Sequence, residues 1–293
     1  MRYPIVPGHE IVGVVVKLAT DADLGVDEGD RVAVDEVVRA RGPLRVYGYT
    51  AMDDTDAVGL YGGYGEYLRV LPGTVLHRLT VDTPPEELTQ FEPLASARNW
   101  VGLAGVGPGR SVLVQGPGHQ GLAVVQSALA AGATNVMVSG TGRDRSRLAV
   151  AAALGADVID IDAVDVGDAV RSRTGGRGAD IVFDVTPATA TVPLSLALVR
   201  NGGTVLLAGL KERRPVEIIS DDIVNRSLRI VGGTAFTPES LVEAVELLNM
   251  RQVDTTALRG AVLDIDHIED AIDLLLRRDP ARDAVRVSLR HHH

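Results

Sequence analysis

The sequence has no cysteine among its 293 residues. That absence excludes disulfide bonds, a cysteine nucleophile and a thiolate-rich zinc site within the chain. Aromatic residues make up only 3% of the chain, so few side chains are available for stacking on nucleobases. The formal net charge of −10 also argues against the basic stripe that a phosphate backbone requires. We therefore expect no nucleic-acid partner.

Long apolar runs are absent as well. No stretch approaches eighteen consecutive apolar residues, and the basic start Met1-Arg2-Tyr3 leads into no signal-peptide core. We therefore expect a cytoplasmic protein with no membrane partner. Hydrophobic residues nevertheless make up 45% of the chain. A chain of this size and composition can bury the cores of one large domain or two ordinary ones.

The first third of the chain, residues 1 to 97, consists of short apolar runs interrupted by turn pairs such as Gly29-Asp30 and Gly42-Pro43. Runs of this length, broken by Gly, Pro and Asp, are typical of strands in a mostly antiparallel unit. The predicted strands are Ile11–Lys17, Arg31–Val38, Tyr64–Val70 and Val75–Leu79.

From residue 98 the pattern alternates between apolar strands and helices, which predicts a doubly wound parallel sheet of the α/β class. The predicted strands are Ser111–Gln115, Asn135–Ser139, Asp157–Ile161, Ile181–Asp184, Thr204–Ala208 and Arg229–Val231. The predicted helices are Gln120–Ala131, Arg145–Leu154, a segment through Ala169 to Arg173, and Val192–Val199.

The tail, residues 235 to 293, is predicted to rejoin the first domain, so that residues 98–234 form an inserted domain. Thr237-Pro238 provides an N-cap and a first-turn proline for a helix that reaches about Met250. Asp266 followed by Glu269 predicts a capping box for a second helix.

A glycine turn, Gly116-Pro117-Gly118-His119-Gln120-Gly121, directly follows a predicted strand and opens a predicted helix. Gly116 permits a tight turn, Gly118 lets the backbone approach a pyrophosphate, and Gly121 lets helix and strand pack closely. The pyrophosphate then lies at the helix N-terminus, where free N–H groups face it. This context predicts a dinucleotide site that includes His119 and Gln120.

The end of the second strand of the predicted sheet bears on which dinucleotide binds. Enzymes that use NAD place an acid there for the ribose 2′-hydroxyl, whereas this chain has Gly140 followed by Arg143 and Arg145. Guanidinium groups suit a 2′-phosphate and favour NADP. In the alternative, the arginines are solvated, Asp144 caps the next helix, and NAD binds.

Six sequence landmarks are spread across nearly the whole chain. In their residues and their order, the chain resembles the medium-chain dehydrogenases/reductases of the zinc-type alcohol (polyol) dehydrogenase kind. The landmarks are the glycine turn, Tyr3–Glu10, Gly29–Val32, Gly62–Tyr67, Glu92–Ala95 and Gly202–Val205. The resemblance implies a Rossmann domain inserted in a GroES-like, mostly-β catalytic domain. It further implies hydride transfer between a nicotinamide cofactor and an alcohol or ketone, in a homo-oligomer (a dimer or tetramer).

Site residues carry over from the family position by position. His9 matches the family's zinc-ligating histidine, Glu10 the adjacent acid, and Glu92 a glutamate that binds zinc or its water, and these three are also the candidate catalytic residues. A zinc ion in such a site polarises the substrate oxygen. The positions matching the nicotinamide-lining segments are Val185, Thr186, Ala208, Gly209, Leu210, Gly233 and Thr234.

The chain also departs from the family pattern. The family has a longer stretch before the Gly-His-Glu motif, including a cysteine zinc ligand, so either the sequence is N-terminally truncated or this member has lost that part. The four-cysteine lobe expected near Val37–Val46 has no cysteine here, which predicts that the structural zinc is absent. Catalytic zinc thus stays open, and two alternatives remain: a zinc-independent enoyl or quinone reductase, and a catalytically degenerate cofactor-binding protein.

Overall fold

The computed structural model describes residues 5–20, 23–40, 44–49, 61–80, 82–279 and 282–291. The landmark residues Tyr3 and Pro4 and the predicted turn Gly42-Pro43 lie outside these ranges. The chain forms two compact units, residues 1–92 with 241–293, and residues 93–240. Our predicted boundaries lie near those of the compact units, and as domain boundaries they stay a prediction.

The first unit opens with short antiparallel strands. They are β1 (Ile11–Val14), β2 (Arg31–Val34), β3 (Val37–Val38), β4 (Arg45–Val46) and β5 (Leu76–Arg78). Strand β2 lies between β1 and β5, and β3 pairs with β4. Tyr47 lies in the core beneath them, where its hydroxyl contacts Thr74 Oγ1 at 2.7 Å and accepts a hydrogen bond from Leu71 N at 2.8 Å.

Two strand predictions in this unit were wrong. Predicted strand Arg31–Val38 is two strands, because Asp35 Oδ1 accepts a hydrogen bond from Val37 N and turns the chain between them. Predicted strand Tyr64–Val70 is irregular. The backbone at its start bonds elsewhere, since Gly63 N donates to Gly8 O and Tyr64 N to Pro7 O.

Two helices then lead towards the second unit. They are α1 (Pro85–Leu88) and α2 (Phe91–Ala104), and neither was among the sequence predictions. Helix α1 has proline at its first position, where a missing N–H costs nothing. Helix α2 carries Glu92 in its first turn.

The second unit is a six-stranded parallel sheet with helices between its strands. The strands are β6 (Ser111–Gln115), β7 (Asn135–Gly140), β8 (Asp157–Asp160), β9 (Ala179–Asp184), β10 (Val199–Leu207) and β11 (Arg229–Gly232). The helices are α3 (His119–Ala130), α4 (Arg145–Ala153), α5 (Val166–Arg173), α6 (Thr191–Leu198) and α7 (Ser220–Asn225). Leu113, Met137 and Val182 are fully buried in its core.

The strand order of this sheet is β11-β10-β9-β6-β7-β8. The order reverses between β6 and β9, and the crevice at the carboxyl ends of such strands is where ligands bind in open α/β sheets. The predicted doubly wound sheet is therefore confirmed. Strand β10 starts earlier than predicted and has an irregularity between Val199 and Thr204, next to Gly202 at φ +67°.

The tail contains α8 (Pro238–Asn249), β12 (Ala261–Asp264), α9 (Ile268–Leu275) and β13 (Val287–Arg290). Helix α8 begins as predicted, because Thr237 Oγ1 accepts a hydrogen bond from Ser240 N at 3.2 Å. The predicted capping box of α9 was wrong: the helix begins after a 3₁₀ turn, Ile265–His267, and its N-cap residue is His267. Among the described residues, no helix combines the length and apolar character that a membrane-spanning segment needs.

Candidate functional site

Three predicted metal ligands come together in the first unit. The ligand atoms of His9, Glu10 and Glu92 all lie within 4.8 Å of one another. We call these three residues the ligand cluster. His9 and Glu10 are half-buried just before β1, and Glu92 is 5% exposed in the first turn of α2. Residues more than 80 positions apart in sequence thus share one small space.

Close backbone approaches fix the position of His9. Gly8 has φ +93°, a conformation that favours glycine. A Cβ on Gly48 would overlap the backbone of Gly8, so the two glycines allow these segments to touch. The ring of His9 then lies with its centre 4.8 Å from that of Tyr49. The two glycines therefore bring together the backbone segments that carry His9 and Tyr49.

Arg286 neutralises part of the ligand cluster's charge. Its Nη2 pairs with Glu10 Oε2 and also donates to Thr89 O at 2.8 Å. The arginine is 6% exposed, and its Nε and Nη1 have no hydrogen-bond partner in the described part of the chain. Sequence reasoning missed Arg286 because it lies 276 residues after Glu10, and no motif marks it.

Glu36 is a second residue that sequence reasoning missed. It is 6% exposed, and its Oε2 atom has no hydrogen-bond partner among the residues that the structure describes. Burial raises the pKa of Glu36 to about 9, and the charges of Glu92, Asp35 and Glu10 contribute further. Arg39 opposes this shift, but its guanidinium is paired with Asp35. A buried carboxyl group thus lies within the electrostatic reach of the ligand cluster.

The surroundings also shift the pKa of the imidazole and of a neighbouring phenol. Burial lowers the pKa of His9, while Glu10 raises it and Arg286 lowers it. Neutral imidazole is the form that binds a metal. Burial raises the pKa of Tyr49, and Glu36, Glu92 and Glu10 add to that effect. The region is therefore acidic, which favours a cation.

The glycine turn of the second unit has the geometry that a dinucleotide needs. Gly116 has φ +102°, and a Cβ on Gly121 would overlap the carbonyl oxygen of Gly116. A Cβ on Gly118 would instead meet no heavy atom within 4 Å. Gly118 is also the N-cap of α3 and has no side chain to occupy the N–H groups of the first turn. Gln120 Oε1 is buried there without a hydrogen-bond partner in the described part of the chain.

The other predicted cofactor segments lie at the same carboxyl edge of the sheet. Val185 and Thr186 follow β9 and lie against the glycine turn. Ala208 N and Gly209 N both donate to Asp184 O, at 3.0 and 2.9 Å. Gly233 N donates to Leu207 O at 2.8 Å, and Trp100 Nε1 donates to Thr234 O. Leu210 is 85% exposed. Their role in cofactor binding stays a prediction.

A buried ion pair joins two of these segments. Lys211 Nζ lies 2.9 Å from the carboxylate of Asp184 and donates to Thr186 O at 2.5 Å. Asp184 also accepts from Thr186 N at 3.1 Å and from Thr191 Oγ1 at 2.8 Å. The side chain of Asp184 is 0% exposed and that of Lys211 12%. The pair, absent from the sequence predictions, fixes the ends of β9 and β10 to each other.

The loop after β7 holds the residues predicted to select the cofactor. Asp144 Oδ2 accepts from Thr141 N at 3.0 Å and from Thr141 Oγ1 at 2.8 Å, a capping box for the short 3₁₀ turn. Gly140 packs against Pro117 of the glycine turn. Arg143 and Arg145 are exposed. One acid that sequence reasoning did not consider, Asp162, accepts a hydrogen bond from Gly142 N.

Comparison with known proteins agrees with both units. The model of the alcohol dehydrogenase GroES-like domain matches residues 1–80, and that of the zinc-binding dehydrogenase domain matches residues 121–250. A Mycobacterium tuberculosis protein named probable alcohol dehydrogenase is 34% identical over 307 residues, which cover 97% of this chain and 82% of that protein. The L-galactonate-5-dehydrogenase of Escherichia coli is 32% identical over 251 residues, which cover 84% of this chain and 72% of that protein.

A solved structure of a similar protein supports the same family assignment. A Sinorhizobium meliloti structure, named as a zinc-binding dehydrogenase bound to NADP, has a TM-score of 0.83 and 26% identity, covering 99% of this chain and 84% of that one. This chain belongs to the zinc-type alcohol dehydrogenase family of medium-chain dehydrogenases/reductases. It is an alcohol dehydrogenase-like oxidoreductase that depends on NAD or NADP, as the sequence landmarks predicted.

Proposed function

We propose that this protein interconverts a secondary alcohol or polyol with the corresponding ketone, at a site that includes His9, Glu10 and Glu92. The observation that carries the proposal is the convergence of these three ligand groups within 4.8 Å of one another. Two further acids, Asp35 and Glu36, lie in the same region. A small-molecule alcohol or carbonyl compound is the proposed partner. The names of similar proteins, alcohol dehydrogenase and L-galactonate-5-dehydrogenase, support this substrate class.

The cofactor is proposed to bind along the carboxyl edge of the parallel sheet. The N-terminus of α3 receives the pyrophosphate, because its N-cap residue, Gly118, has no side chain to compete for this position and the helix dipole favours negative charge. The open space at Gly118 and the unpartnered Gln120 Oε1 fit a polar group lying close to the backbone. Val185, Thr186 and the segment Ala208–Leu210 then line the nicotinamide half.

The donor set fits a divalent cation such as the zinc of the family. Ligands about 2 Å from one ion lie roughly 3 to 4 Å apart, so groups within 4.8 Å of one another need only small side-chain rotations. One imidazole and two carboxylates suit zinc, and a bound ion would supply Lewis acidity at the substrate oxygen. The set holds no thiolate, but an imidazole and two carboxylates are sufficient ligands. We therefore propose that this site can hold zinc.

The chain's own residues orient and balance this site. Arg286 fixes Glu10 through a charge-assisted hydrogen bond and offsets its charge. Glu92 is buried in the first turn of α2, where the helix dipole favours its negative charge. Tyr49 packs against the His9 ring and restricts its rotation. Together these contacts hold three ligand groups ready for one cation.

We also propose a cytoplasmic homo-oligomer, either a dimer or a tetramer, on the strength of the family resemblance. Light scattering after size-exclusion chromatography measures the mass directly. A mass of two or four chains is the expected result, and a monomer at micromolar concentration would contradict it.

The proposal is tested first at the glycine turn. We expect Gly118→Val to weaken NADH and NADPH binding by about 100-fold or more, because the added methyl groups would occupy the space proposed for the pyrophosphate. The measurement is nicotinamide fluorescence. Gly107→Val is the matched control, since a Cβ there also meets no heavy atom within 4 Å. Gly107 precedes β6 and so lies towards the amino ends of the strands, away from the proposed cofactor site.

The reaction is tested on the wild-type protein with a panel of secondary alcohols, polyols and enones, beside its zinc content. Alcohol oxidation that a chelator abolishes and zinc restores is the expected result. Reduction of enones without metal would instead favour the enoyl or quinone reductase alternative. Cofactor binding without turnover on any compound would favour the degenerate binding protein.

A further inference from the structure

The loop that follows β7 carries an acid from another part of the chain. In nucleotide-binding sheets of this order, the adenosine ribose lies at the end of the second strand, and an acid there accepts from its 2′-hydroxyl. Here β7 ends at Gly140, which has no side chain, and two residues later the loop presents Gly142, which has none either. The carboxylate of Asp162 lies against it, with Oδ2 accepting from Gly142 N at 2.7 Å.

Asp162 is held in that place by the end of β8. Its own N–H donates to Asp160 Oδ1 at 3.1 Å, and Ile161 N donates to Gly140 O at 3.0 Å. A Cβ on Gly142 would lie 3.2 Å from Asp162 Oδ2 and 4.0 Å from Asp160 Oδ2. The carboxylate of Asp162 therefore lies directly beside the place that a side chain on residue 142 would take.

The charge around this loop is mixed. Asp144, Asp160 and Asp162 supply three carboxylates, and Arg143 and Arg145 supply two guanidinium groups. Asp144 turns an oxygen towards Thr141, while Asp162 remains exposed and a carboxylate can accept further hydrogen bonds beyond the one from Gly142 N. Asp144 lies nearer the strand end, with its Cβ 3.2 Å from the place of a Cβ on Gly140, but its Oδ2 already accepts two hydrogen bonds from Thr141. Asp162 is the exposed acid of this loop region with the fewer hydrogen bonds to the chain.

We propose that Asp162 is the residue that discriminates between the two nicotinamide cofactors, by accepting a hydrogen bond from the ribose 2′-hydroxyl of NAD and repelling the 2′-phosphate of NADP. The inference rests on the proposed cofactor site. It differs from the expectation based on Arg143 and Arg145, because the discriminating charge comes from the segment after β8 and has the opposite sign. NADH then binds more tightly than NADPH.

The test is Asp162→Asn, with the dissociation constants of NADH and NADPH measured by nicotinamide fluorescence. Asparagine keeps an oxygen that can accept from Gly142 N and removes only the charge. We expect the ratio of the NADPH to the NADH dissociation constant to fall about tenfold, the size expected for one like charge a few ångströms from a phosphate near the surface. The change should shrink in 1 M salt, where charges are screened within about 3 Å.

Asp221→Asn is the matched control, because it removes the same charge from an exposed position in α7, which lies between β10 and β11 at the far edge of the sheet. Its ratio should stay at the wild-type value. A ratio unchanged in Asp162→Asn, or equal weakening of both cofactors, would overturn the inference and assign Asp162 a structural role only. If wild-type protein bound neither cofactor, the proposed function itself would fail, and this inference with it.

Discussion

The glycine turn and the ligand cluster are built from different parts of their residues. The turn is made by backbone: Gly116, Gly118 and Gly121 contribute conformation and space. The ligand cluster is made by side chains on separate segments, His9 and Glu10 before β1 and Glu92 on α2. The glycine turn therefore depends on the absence of Cβ atoms at three positions. The ligand cluster depends instead on how the charges of its side chains are accommodated.

The two units differ in how they balance buried charge. In the second unit, Asp184 is fully buried and is matched by Lys211 and three hydrogen-bond donors. In the first unit, Glu36 is buried with one oxygen unpartnered among the described residues, near other carboxylates. Buried charge normally requires a partner. Glu36 meets this requirement by staying protonated, since burial raises its pKa to about 9.

The largest effect is expected from a substitution in the glycine turn, at Gly121. We expect Gly121→Val to abolish folding of the second unit or to cost at least about 4 kcal/mol, because its Cβ would overlap the Gly116 carbonyl oxygen, a backbone atom that cannot move aside cheaply. Denaturant unfolding followed by circular dichroism is the measurement.

Gly118→Val is the informative comparison for that variant, since its added atoms meet no protein atom nearby. It should keep the wild-type unfolding midpoint while losing cofactor. Equal stability of the Gly121 and Gly118 variants would contradict the division between a packing glycine and a ligand-facing glycine.

A smaller effect is expected when the balanced charge of the second unit is broken. Lys211→Met should destabilise the protein by about 3 to 5 kcal/mol, because the fully buried Asp184 carboxylate loses its only ion-pair partner among the described contacts. Urea unfolding gives this free energy. The double variant Asp184→Asn with Lys211→Met should recover most of the loss, and a double variant as unstable as the single one would contradict the ion-pair explanation.

The sequence predicted the second unit well because its information is local. Apolar runs, glycines after helices and the turn at Gly116–Gly121 each specify one element, and their alternation predicts a parallel sheet with helices on both faces. The first unit was predicted less well. Asp35 splits a continuous apolar run into two strands, and Tyr64 bonds to Pro7 where a strand ladder was expected. Such side-chain and long-range hydrogen bonds leave no periodic signal.

The same reason explains which site residues were found. His9, Glu10 and Glu92 were available from a family resemblance, because they lie in short motifs. Arg286, Glu36 and Asp162 lie in no motif and act through contacts with distant segments. Their roles depend on packing that only the three-dimensional arrangement supplies.

The buried carboxyl group of Glu36 gives the most specific effect, because that effect depends on pH. The folded-state pKa of Glu36 is about 9, above its ordinary value of 4.5. Between these two pH values the folded protein keeps a proton that the unfolded chain releases, so stability falls as pH rises. Glu36→Gln has no such proton. Its free energy of unfolding should therefore rise relative to that of the wild type from pH 5 to pH 9, by up to about 5 kcal/mol, or about 1.4 kcal/mol for each pH unit.

The measurement for Glu36 is thermal unfolding at several pH values with a chelator present, because a nearby bound cation would lower the pKa of this carboxyl group. The slope with pH carries the argument, since any cost of burying the amide is the same at every pH. Glu246→Gln, at an exposed position on α8 of the first unit, is the control and should follow the wild type. If Glu36→Gln and wild type ran parallel across this range, the carboxyl would not be buried as described. If added zinc reduced the difference between Glu36→Gln and wild type, a cation bound near Glu36 would be lowering its pKa, in agreement with the proposed metal site.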